Sequence, residues 1–385
     1  MSSWQEIKLK DALNYIQPTN YIVENAQYDD SYETPVLTPG ASFLLGYTNE
    51  NSGIFEDVPT IIFDDFTTAF KYVDFPFKVK SSAMKILEVT SADYNIKFLY
   101  YLMQTLKFDA HQHKRYWISK YSQQKVKVPL LAEQQQVAAI LDAADSLRQK
   151  DQQLVEHYTT LSQSLFLDMF GDPVTNPMGW ERNEFGNNIN VLTDYHANGS
   201  YEVLKKNVEL KNEKDYALMV RTTDLENNNF RNNVIHISQD AYEYLEKSKV
   251  YGGEIIISKI GSAGKVFLMP KLDKPVSLGM NTFLLRFNKS LNNIFAYYLL
   301  TSKFGEIEMG KRIKGAVTKT IRKDAIREIS IIVPPITLQN QFAERIAIIE
   351  QQKQQAHANL EKSEALFNSL LQRAFNGELT GSKAA

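Results

Sequence analysis

The spacing of apolar residues predicts two long α-helices, each with a single apolar stripe. In the first stretch, residues 131–171, apolar positions alternate in steps of three and four, with one interruption at Asp151. The members of this stripe are Val137, Ile140, Ala144, Leu147, Leu154, Tyr158, Leu161 and Leu165. Such spacing is typical of a coiled-coil seam, so we expect these residues to face another helix.

A second stretch, residues 334–376, repeats this pattern with interruptions at Lys353 and Ser363. Its stripe consists of Phe342, Ile346, Ile349, Ala356, Leu360, Phe367, Leu370 and Ala374. Gly171 and Gly377 lie just past the expected helix ends, where glycine is favoured. Two ordinary core helices in unrelated domains are an alternative, but a run of about 38 residues without Pro or Gly is long for that.

The two helical stretches belong to an internal repeat with an offset of 205 residues. Residues 128–170 align without a gap on residues 333–375, and 11 of the 43 pairs are identical. The identical pairs include Pro129 with Pro334 and Gln134 with Gln339. Upstream, the segment that begins at Trp4 is similar to the segment that begins at Trp180. We therefore expect an ancient duplication of one domain and one helical arm.

The repeat predicts that domains and arms alternate along the chain. We expect a first domain at 1–130, an arm at 131–171, a second domain at 172–333, an arm at 334–376 and a tail at 377–385. If the arms pack side by side they run antiparallel, and a pseudo-two-fold axis relates the domains. A helix of about 38 residues is about 57 Å long, so the arms would form a coiled-coil-like spacer.

Each domain mixes short strands with short helices, so the expected fold class is α+β. In the first domain, strand-like runs lie at 35–40, 42–47, 60–63 and 75–79, and a helix-like run at 97–103. In the second, strand-like runs lie at 254–260, 265–269 and 281–287, and a helix-like run at 294–300. A glycine turn at 261–264 separates the first two of these strands, which predicts a hairpin.

Composition narrows the class of protein. The 385 residues are 43% hydrophobic and include no cysteine, which excludes disulfides and thiolate metal sites. The N-terminus lacks the charged start and apolar run of a signal peptide, and no apolar run is long enough to span a membrane. We expect a multidomain protein of the cytoplasm, with no membrane contact.

Charge is distributed unevenly along a chain whose net charge is −2. Two windows, 111–127 and 311–323, contain several Lys and Arg and no acidic residue. Gly310 and Gly315 bracket part of the second window, which predicts a loop able to follow a phosphate backbone. The candidate DNA contacts are Lys114, Arg115 and Lys120, then Lys311, Arg312, Lys314 and Lys319, and more weakly Lys259 and Lys265 beside the glycine turn. A solvated surface is the alternative interpretation of each window.

The sequence contains no recognisable catalytic motif. The segment 261–265 has too few residues between its glycines for a phosphate-binding loop, and Val266 follows its lysine. His111 and His113 have neither a cysteine nor an adjacent cluster of carboxylates to complete a metal site. No motif for holding a target base or S-adenosylmethionine is visible either. We expect a binding subunit with no metal, no cofactor and no active site of its own.

The whole pattern resembles the specificity subunit of type I restriction-modification systems. Two diverged domains alternate with two helical arms that each open Val-Pro-x-x-x-x-Gln-x-Gln, and the first arm ends Phe170-Gly-Asp-Pro, followed by Met178-Gly-Trp180. The series at 252–257, 261–265 and 281–286 is similar to a common target-recognition-domain pattern.

The resemblance implies that each domain recognises one half of a split double-stranded DNA site. It also implies that two methyltransferase subunits dock on the arms and that a restriction (translocase) subunit can join. S-adenosylmethionine, ATP and magnesium would then be held by the partner subunits. Two other functions stay open at this point, a free-standing DNA-binding regulator and a coiled-coil scaffold that binds only proteins.

Overall fold

The computed structural model describes residues 4–38, 40, 42–106 and 116–379. The chain forms two compact units. The first contains the described residues up to Gln153 and those from Ala356 onward, and the second contains Leu154–Gln355. Each long helix therefore contributes one half to each unit.

Two of the helices are 40 residues long, and the others are short. The helices are α1 (Leu9–Ala12), α2 (Ile96–Gln104), α3 (Tyr116–Ser119), α4 (Leu131–Phe170), α5 (Tyr201–Asn207), α6 (Thr222–Glu226), α7 (Gln239–Tyr244), α8 (Asn293–Thr301), α9 (Lys303–Arg312), α10 (Lys323–Arg327) and α11 (Ile336–Phe375).

The strands are short and fall into both units. They are β1 (Gln5–Lys8), β2 (Leu13–Ile16), β3 (Thr34–Leu37), β4 (Leu44–Thr48), β5 (Thr60–Asp64), β6 (Phe70–Val73), β7 (Lys78–Val79), β8 (Met84–Val89), β9 (Lys125–Val128), β10 (Arg182–Glu184), β11 (Ile189–Asp194), β12 (Ala217–Val220), β13 (Ile235–Ile237), β14 (Lys249–Val250), β15 (Ile255–Ser258), β16 (Val266–Leu268), β17 (Val276–Leu278), β18 (Thr282–Phe287) and β19 (Ser330–Ile332).

The first unit places a four-stranded sheet against helices. The sheet has the order β2-β8-β5-β6 with antiparallel neighbours, and a smaller sheet has the order β4-β3-β7. Phe98 of α2, Val137 of α4 and Phe367 of α11 lie in one apolar core with Phe63 and Leu87 of the sheet. The first half of α4 and the last half of α11 thus complete the core of this unit.

The second unit has two four-stranded sheets, with the orders β11-β18-β15-β16 and β13-β12-β17-β14. Its core contains a cluster of four phenylalanine rings, whose contacts are 4.7–5.8 Å between centroids. The rings belong to Phe166 and Phe170 of α4, Phe295 of α8 and Phe342 of α11. In each unit, the first half of one long helix packs beside the last half of the other, so the helices run antiparallel. The predicted α+β fold with two long helices is confirmed.

The first strand of each unit also pairs in the same way. Strand β1 pairs antiparallel with β9, the strand that leads into α4, and β10 pairs antiparallel with β19, the strand that leads into α11. Trp4 and Trp180 stand just before these first strands. The Trp4 indole donates to Glu133 at 3.1 Å, and the Trp180 indole donates to the carbonyl of Phe170 at 2.8 Å.

The residues predicted for the seam of α11 lie on the buried side of that helix. Phe342, Ile346, Ala356, Phe367 and Ala374 are buried. The remaining predicted positions, Ile349, Leu360 and Leu370, are partly buried, and Lys353 and Ser363 occupy the interruptions of the same stripe.

The predicted seam of α4 is half wrong. Val137 and Ala144 are buried and Leu165 is partly buried, as expected. The alternate positions face outward, and the exposed fractions of Ile140, Leu147, Leu154 and Leu161 are 37%, 46%, 43% and 39%. The seam instead follows the residue after each of them, namely Leu141, Arg148, Val155 and Ser162.

The reason is that polar side chains occupy part of the true seam. Arg148 is an example, because it pairs with Asp145 and lays its guanidinium over the ring of Phe367 at 5.2 Å, which buries its stem without isolating its charge. Ser162 is buried and donates to the carbonyl of Tyr158 at 3.0 Å. The apolar pattern of the sequence therefore indicates the neighbouring exposed residues instead of the seam.

Candidate nucleic-acid interface

A narrow loop follows helix α9 in the second unit. The backbone of Lys314 and Thr320 closes it with two hydrogen bonds, at 2.9 Å and 2.8 Å. Gly315 has a φ of +106°, which glycine adopts without strain. Val317 stands at the tip with 98% of its surface exposed. The loop is thus braced at its base and open to solvent at its tip.

The glycine turn between β15 and β16 lies against this loop. The two strands pair antiparallel, so the predicted hairpin is confirmed. Gly261 donates its amide hydrogen to the carbonyl of Lys319 at 3.1 Å. A β-carbon on Gly264 would come within 3.0 Å of Ile313. Turn and loop form one edge of the unit, which we call the loop edge (residues 261–264 and 313–320).

The lysines that flank the glycine turn are already engaged. Lys259 and Lys323 both reach the carboxylate of Asp194, at 3.1 Å and 2.9 Å, and both ammonium groups lie over the ring of Phe283. Burial raises the pKa of Asp194, but the hydrogen bonds from Lys323 and Lys259 outweigh it and lower the pKa overall. The carboxylate is therefore ionised, and it neutralises part of the charge of Lys259.

Lys265 is paired as well. Its ammonium lies 3.2 Å from Glu226, which also accepts a hydrogen bond from Ser262 at 2.8 Å. The bond from Ser262 and then that from Lys265 lower the pKa of Glu226. Glu226 is the last residue of α6, so this cluster attaches the segment after α6 to the loop edge.

The structure corrects the expected environment of Lys311 and Arg312. Gly310 lies inside α9 rather than at the start of a loop, because the helix continues to Arg312. Basic residues in the last turn of a helix interact favourably with its dipole. Lys311 pairs with Glu308 at 2.7 Å and Arg312 pairs with it at 2.6 Å. Arg312 also donates to the carbonyl of Glu328, so its role is partly structural.

Lys314 and Lys319 remain as the open cations of the second window. Both are exposed, and neither has an ion-pair partner among the described residues. They stand on either side of the tip of the loop edge, with four residues between them. Of the predicted second cluster, these two are the residues that the fold leaves available to a polyanion.

The candidate residues of the first unit are only partly described. Lys114 and Arg115 lie outside the described residues, as do His111 and His113. Lys120 is exposed and precedes a 3₁₀ turn, Tyr121–Gln123. The preceding helix α3 is anchored because Trp117 donates its amide hydrogen to Asp65 at 2.8 Å. Lys120 is thus held on the surface by a fixed segment.

Two features are not found in the described ranges, a metal-holding cluster of side chains and a membrane-spanning helix. No group of three His, Asp or Glu side chains there is placed to hold a metal ion. Within the same ranges, no helix combines the length and apolar character needed to cross a lipid bilayer.

Comparison with known proteins decides the family. The model of the type I restriction modification DNA specificity domain matches this chain twice, over residues 1–157 and 196–363. The chain belongs to this family. The expectation of a specificity subunit with two target-recognition domains is therefore confirmed, and catalysis in this family belongs to other subunits.

Two relatives with this role are similar to the chain. A type I restriction enzyme EcoR124I/EcoR124II specificity subunit from Escherichia coli is 48% identical over 155 residues, which is 37% of this chain and 38% of that protein. The MjaVIII specificity subunit from Methanocaldococcus jannaschii is 21% identical over 96% of this chain and 92% of that protein. The first match thus spans little more than a third of the length of either protein.

The fold of the specificity family also appears among solved structures. The type I restriction-modification S subunit from M. genitalium superposes with a TM-score of 0.63 over 97% of this chain and 96% of that one, at 15% identity. At this identity the likeness concerns the fold, and it agrees with the mixed α/β units and long helices described above.

Proposed function

We propose that this specificity subunit recognises a split double-stranded DNA site, with one half-site read by each target-recognition domain. The double match of the family model, once over each domain, is the observation that carries this proposal. The loop edge supports it, because Lys314 and Lys319 supply exposed positive charge on a braced loop, as contacts to phosphate require. Sequence would be read by other side chains of the same domains.

A genomic measurement tests this proposal. Adenine methylation is mapped in cells with and without the gene, in the presence of its methyltransferase partner. The expected result is a two-part methylated motif with a fixed spacer that disappears with the gene. Methylation that is unchanged by deletion, or a motif without a spacer, would contradict the proposal.

We further propose that the long helix α4 holds the methyltransferase. Ile140 and Leu147 in the first unit, and Leu154 and Leu161 in the second, are large apolar side chains left exposed at seven-residue spacing. Exposed apolar side chains in a row are typical of protein contact surfaces. Between Glu133 and Asp168 the helix also carries six acidic and two basic residues, which disfavours contact with phosphate.

The cofactors of the complex would be carried by the partners. Two methyltransferase subunits supply S-adenosylmethionine and transfer a methyl group to one adenine in each half-site. A restriction subunit that consumes ATP with magnesium joins them to cleave unmethylated DNA. The contribution of this chain is to bind DNA and to position these partners.

A further inference from the structure

The segment after α6 forms a loop with an unusual composition. Five of the seven residues at 227–233 are asparagine, and Arg231 is the single charged one. The loop lies outside both basic windows of the sequence, because Arg231 is its one cation. It begins directly after Glu226, whose carboxylate binds Ser262 and Lys265 at the glycine turn. We call residues 227–233 the asparagine loop.

The backbone of the asparagine loop is fixed from several sides. Phe230 is buried in an apolar cluster of the second unit, and its carbonyl accepts a hydrogen bond from Lys274 at 2.9 Å. The side-chain oxygen of Asn229 accepts from the amides of Arg231 and Asn232, both at 3.1 Å. The carbonyl of Asn233 accepts from the guanidinium of Arg221. Such a loop pays little conformational entropy when it binds.

The exposed side chains of this loop are not engaged by other described residues. Asn228, Arg231 and Asn232 are exposed. Among the described residues, no hydrogen-bond partner is found for the side-chain amides of Asn228 and Asn232, and no carboxylate pairs with Arg231. This contrasts with Lys265 and Arg312, whose charges are satisfied by Glu226 and Glu308. The loop therefore fixes the position of polar side chains that make no hydrogen bond or ion pair within the described part of the chain.

The asparagine loop forms one wall of a groove, and the opposite wall is mainly basic. Residues 228–232 line it on one side and residues 270–274 on the other. The second wall contributes Lys271 and Lys274 against one acid, Asp273. With Arg231, three cations face one carboxylate, so the groove favours an anionic partner.

The types of side chain distinguish base readout from phosphate contact. Phosphate oxygens only accept hydrogen bonds, so a phosphate can use the NH2 group of an asparagine side chain but not its carbonyl oxygen. The edges of bases present donors and acceptors together, and arginine on guanine and asparagine on adenine make paired hydrogen bonds in the major groove. We propose that the asparagine loop is a base-reading element of the second target-recognition domain, with Arg231 on a guanine and Asn228 or Asn232 on an adenine.

This inference rests on the proposed function, and its test uses the assembled complex of the specificity and methyltransferase subunits. Binding is measured to duplexes in which each base pair of the second half-site is varied in turn. The variants are Arg231→Lys, Arg231→Ala and the double change Asn228→Ala with Asn232→Ala. Arg327→Lys is the matched control, because Arg327 is an exposed arginine on α10 that packs beside Gly186.

The expected result is a loss of discrimination at one base pair for both Arg231 variants, by about 5-fold to 150-fold, with the first half-site unchanged. The asparagine double variant loses discrimination at a different base pair. Lysine keeps the charge but not the planar fork, so full retention of wild-type preference by Arg231→Lys would overturn the inference. A loss of affinity that is equal for all sequences would also overturn it, because it would indicate a backbone contact.

Failure of the proposed function would look different. In that case the wild-type complex itself would show no preference within a second half-site. If the wild type reads two half-sites and the Arg231 variants read them equally well, only the asparagine loop inference fails. Thermal unfolding of each variant confirms that the exposed substitutions leave the fold intact.

Discussion

Gln134 and Gln339, which lie 205 residues apart, make the same set of hydrogen bonds in the two units. Each is buried at the start of a long helix. The side-chain oxygen accepts from the backbone amide of Asn95 in one case and of Asn292 in the other, at 2.8 Å and 2.9 Å. The side-chain nitrogen donates to the carbonyl of the proline five residues earlier, at 2.9 Å and 2.7 Å.

The same nitrogen donates to a further carbonyl just ahead of α2 and α8, at 3.0 Å from Gln134 and 3.1 Å from Gln339. Asn95 and Asn292 in turn cap those helices through their side chains. In each unit, one glutamine thus connects the start of the long helix to the proline after the preceding strand and to the segment that leads into the short helix. This explains the repeated first Gln of the motif that opens each arm.

We predict that Gln339→Ala destabilises the second unit by about 2–4 kcal/mol, because it leaves buried backbone groups without partners. Gln341→Ala is the control, since Gln341 belongs to the same motif but is exposed. Urea unfolding monitored by fluorescence measures the difference. Equal midpoints for the two variants would contradict the assigned role.

The corrected seam of α4 gives a second prediction from two adjacent residues. Leu141 is completely buried, whereas Ile140 is 37% exposed. Leu141→Ala should cost about 2–5 kcal/mol of unfolding free energy, as core truncations do. Ile140→Ala should cost less than about 1 kcal/mol, because much of its side chain is already in water. Calorimetry or urea unfolding of both variants measures these two costs. A larger cost for Ile140→Ala than for Leu141→Ala would instead support the seam predicted from the sequence.

The sequence predicted the architecture better than it predicted the packing of individual side chains. The duplication revealed the long helices, the similar segments at Trp4 and Trp180 and the equivalence of Gln134 and Gln339. In α11 the predicted residues coincide with buried and partly buried positions, because that side of the helix is mostly apolar. In α4 the outward-facing leucines obscured the seam. The repeat nevertheless aligns Leu141 with Ile346 of the α11 seam, so the alignment indicates the correct seam positions of α4.

Charges were harder to interpret from the sequence, because their partners lie elsewhere in the chain or one helical turn away. The acid-free window at Lys311 excluded Glu308 by three residues, yet a helix brings that acid alongside. Lys259 is paired with Asp194, 65 residues earlier, through the pairing of strands. The asparagine loop contains one charged residue, so the distribution of basic residues along the sequence does not indicate it.

The exposed face of α4 predicts a specific effect on assembly. Leu154→Asp with Leu161→Asp should abolish co-purification of the methyltransferase while leaving the fold intact, because both side chains are exposed. Gln153→Asp with Thr160→Asp is the matched control, with the same charge change one position earlier on the same helix. Normal assembly of the leucine double variant would place the docking surface elsewhere.

The loop edge predicts a change in the salt dependence of DNA binding. Lys314→Ala with Lys319→Ala should reduce the slope of log K against log salt concentration by about two, roughly one per lost phosphate contact. Lys311→Ala should change the slope less than the double variant does, because Glu308, which Lys311 shares with Arg312, already offsets part of their charge. Binding of the assembled complex is measured across a salt series. An unchanged slope for the double variant would place both lysines on a surface away from DNA.

The central claim is that the two target-recognition domains read separate half-sites, and a domain exchange tests it most directly. Residues 177–333 are replaced by the corresponding domain of another specificity subunit, and the methylated motif of the resulting complex is mapped across a genome. The account predicts that one half-site changes to that of the donor while the other half-site is retained. A change in both half-sites, or in neither, would contradict it.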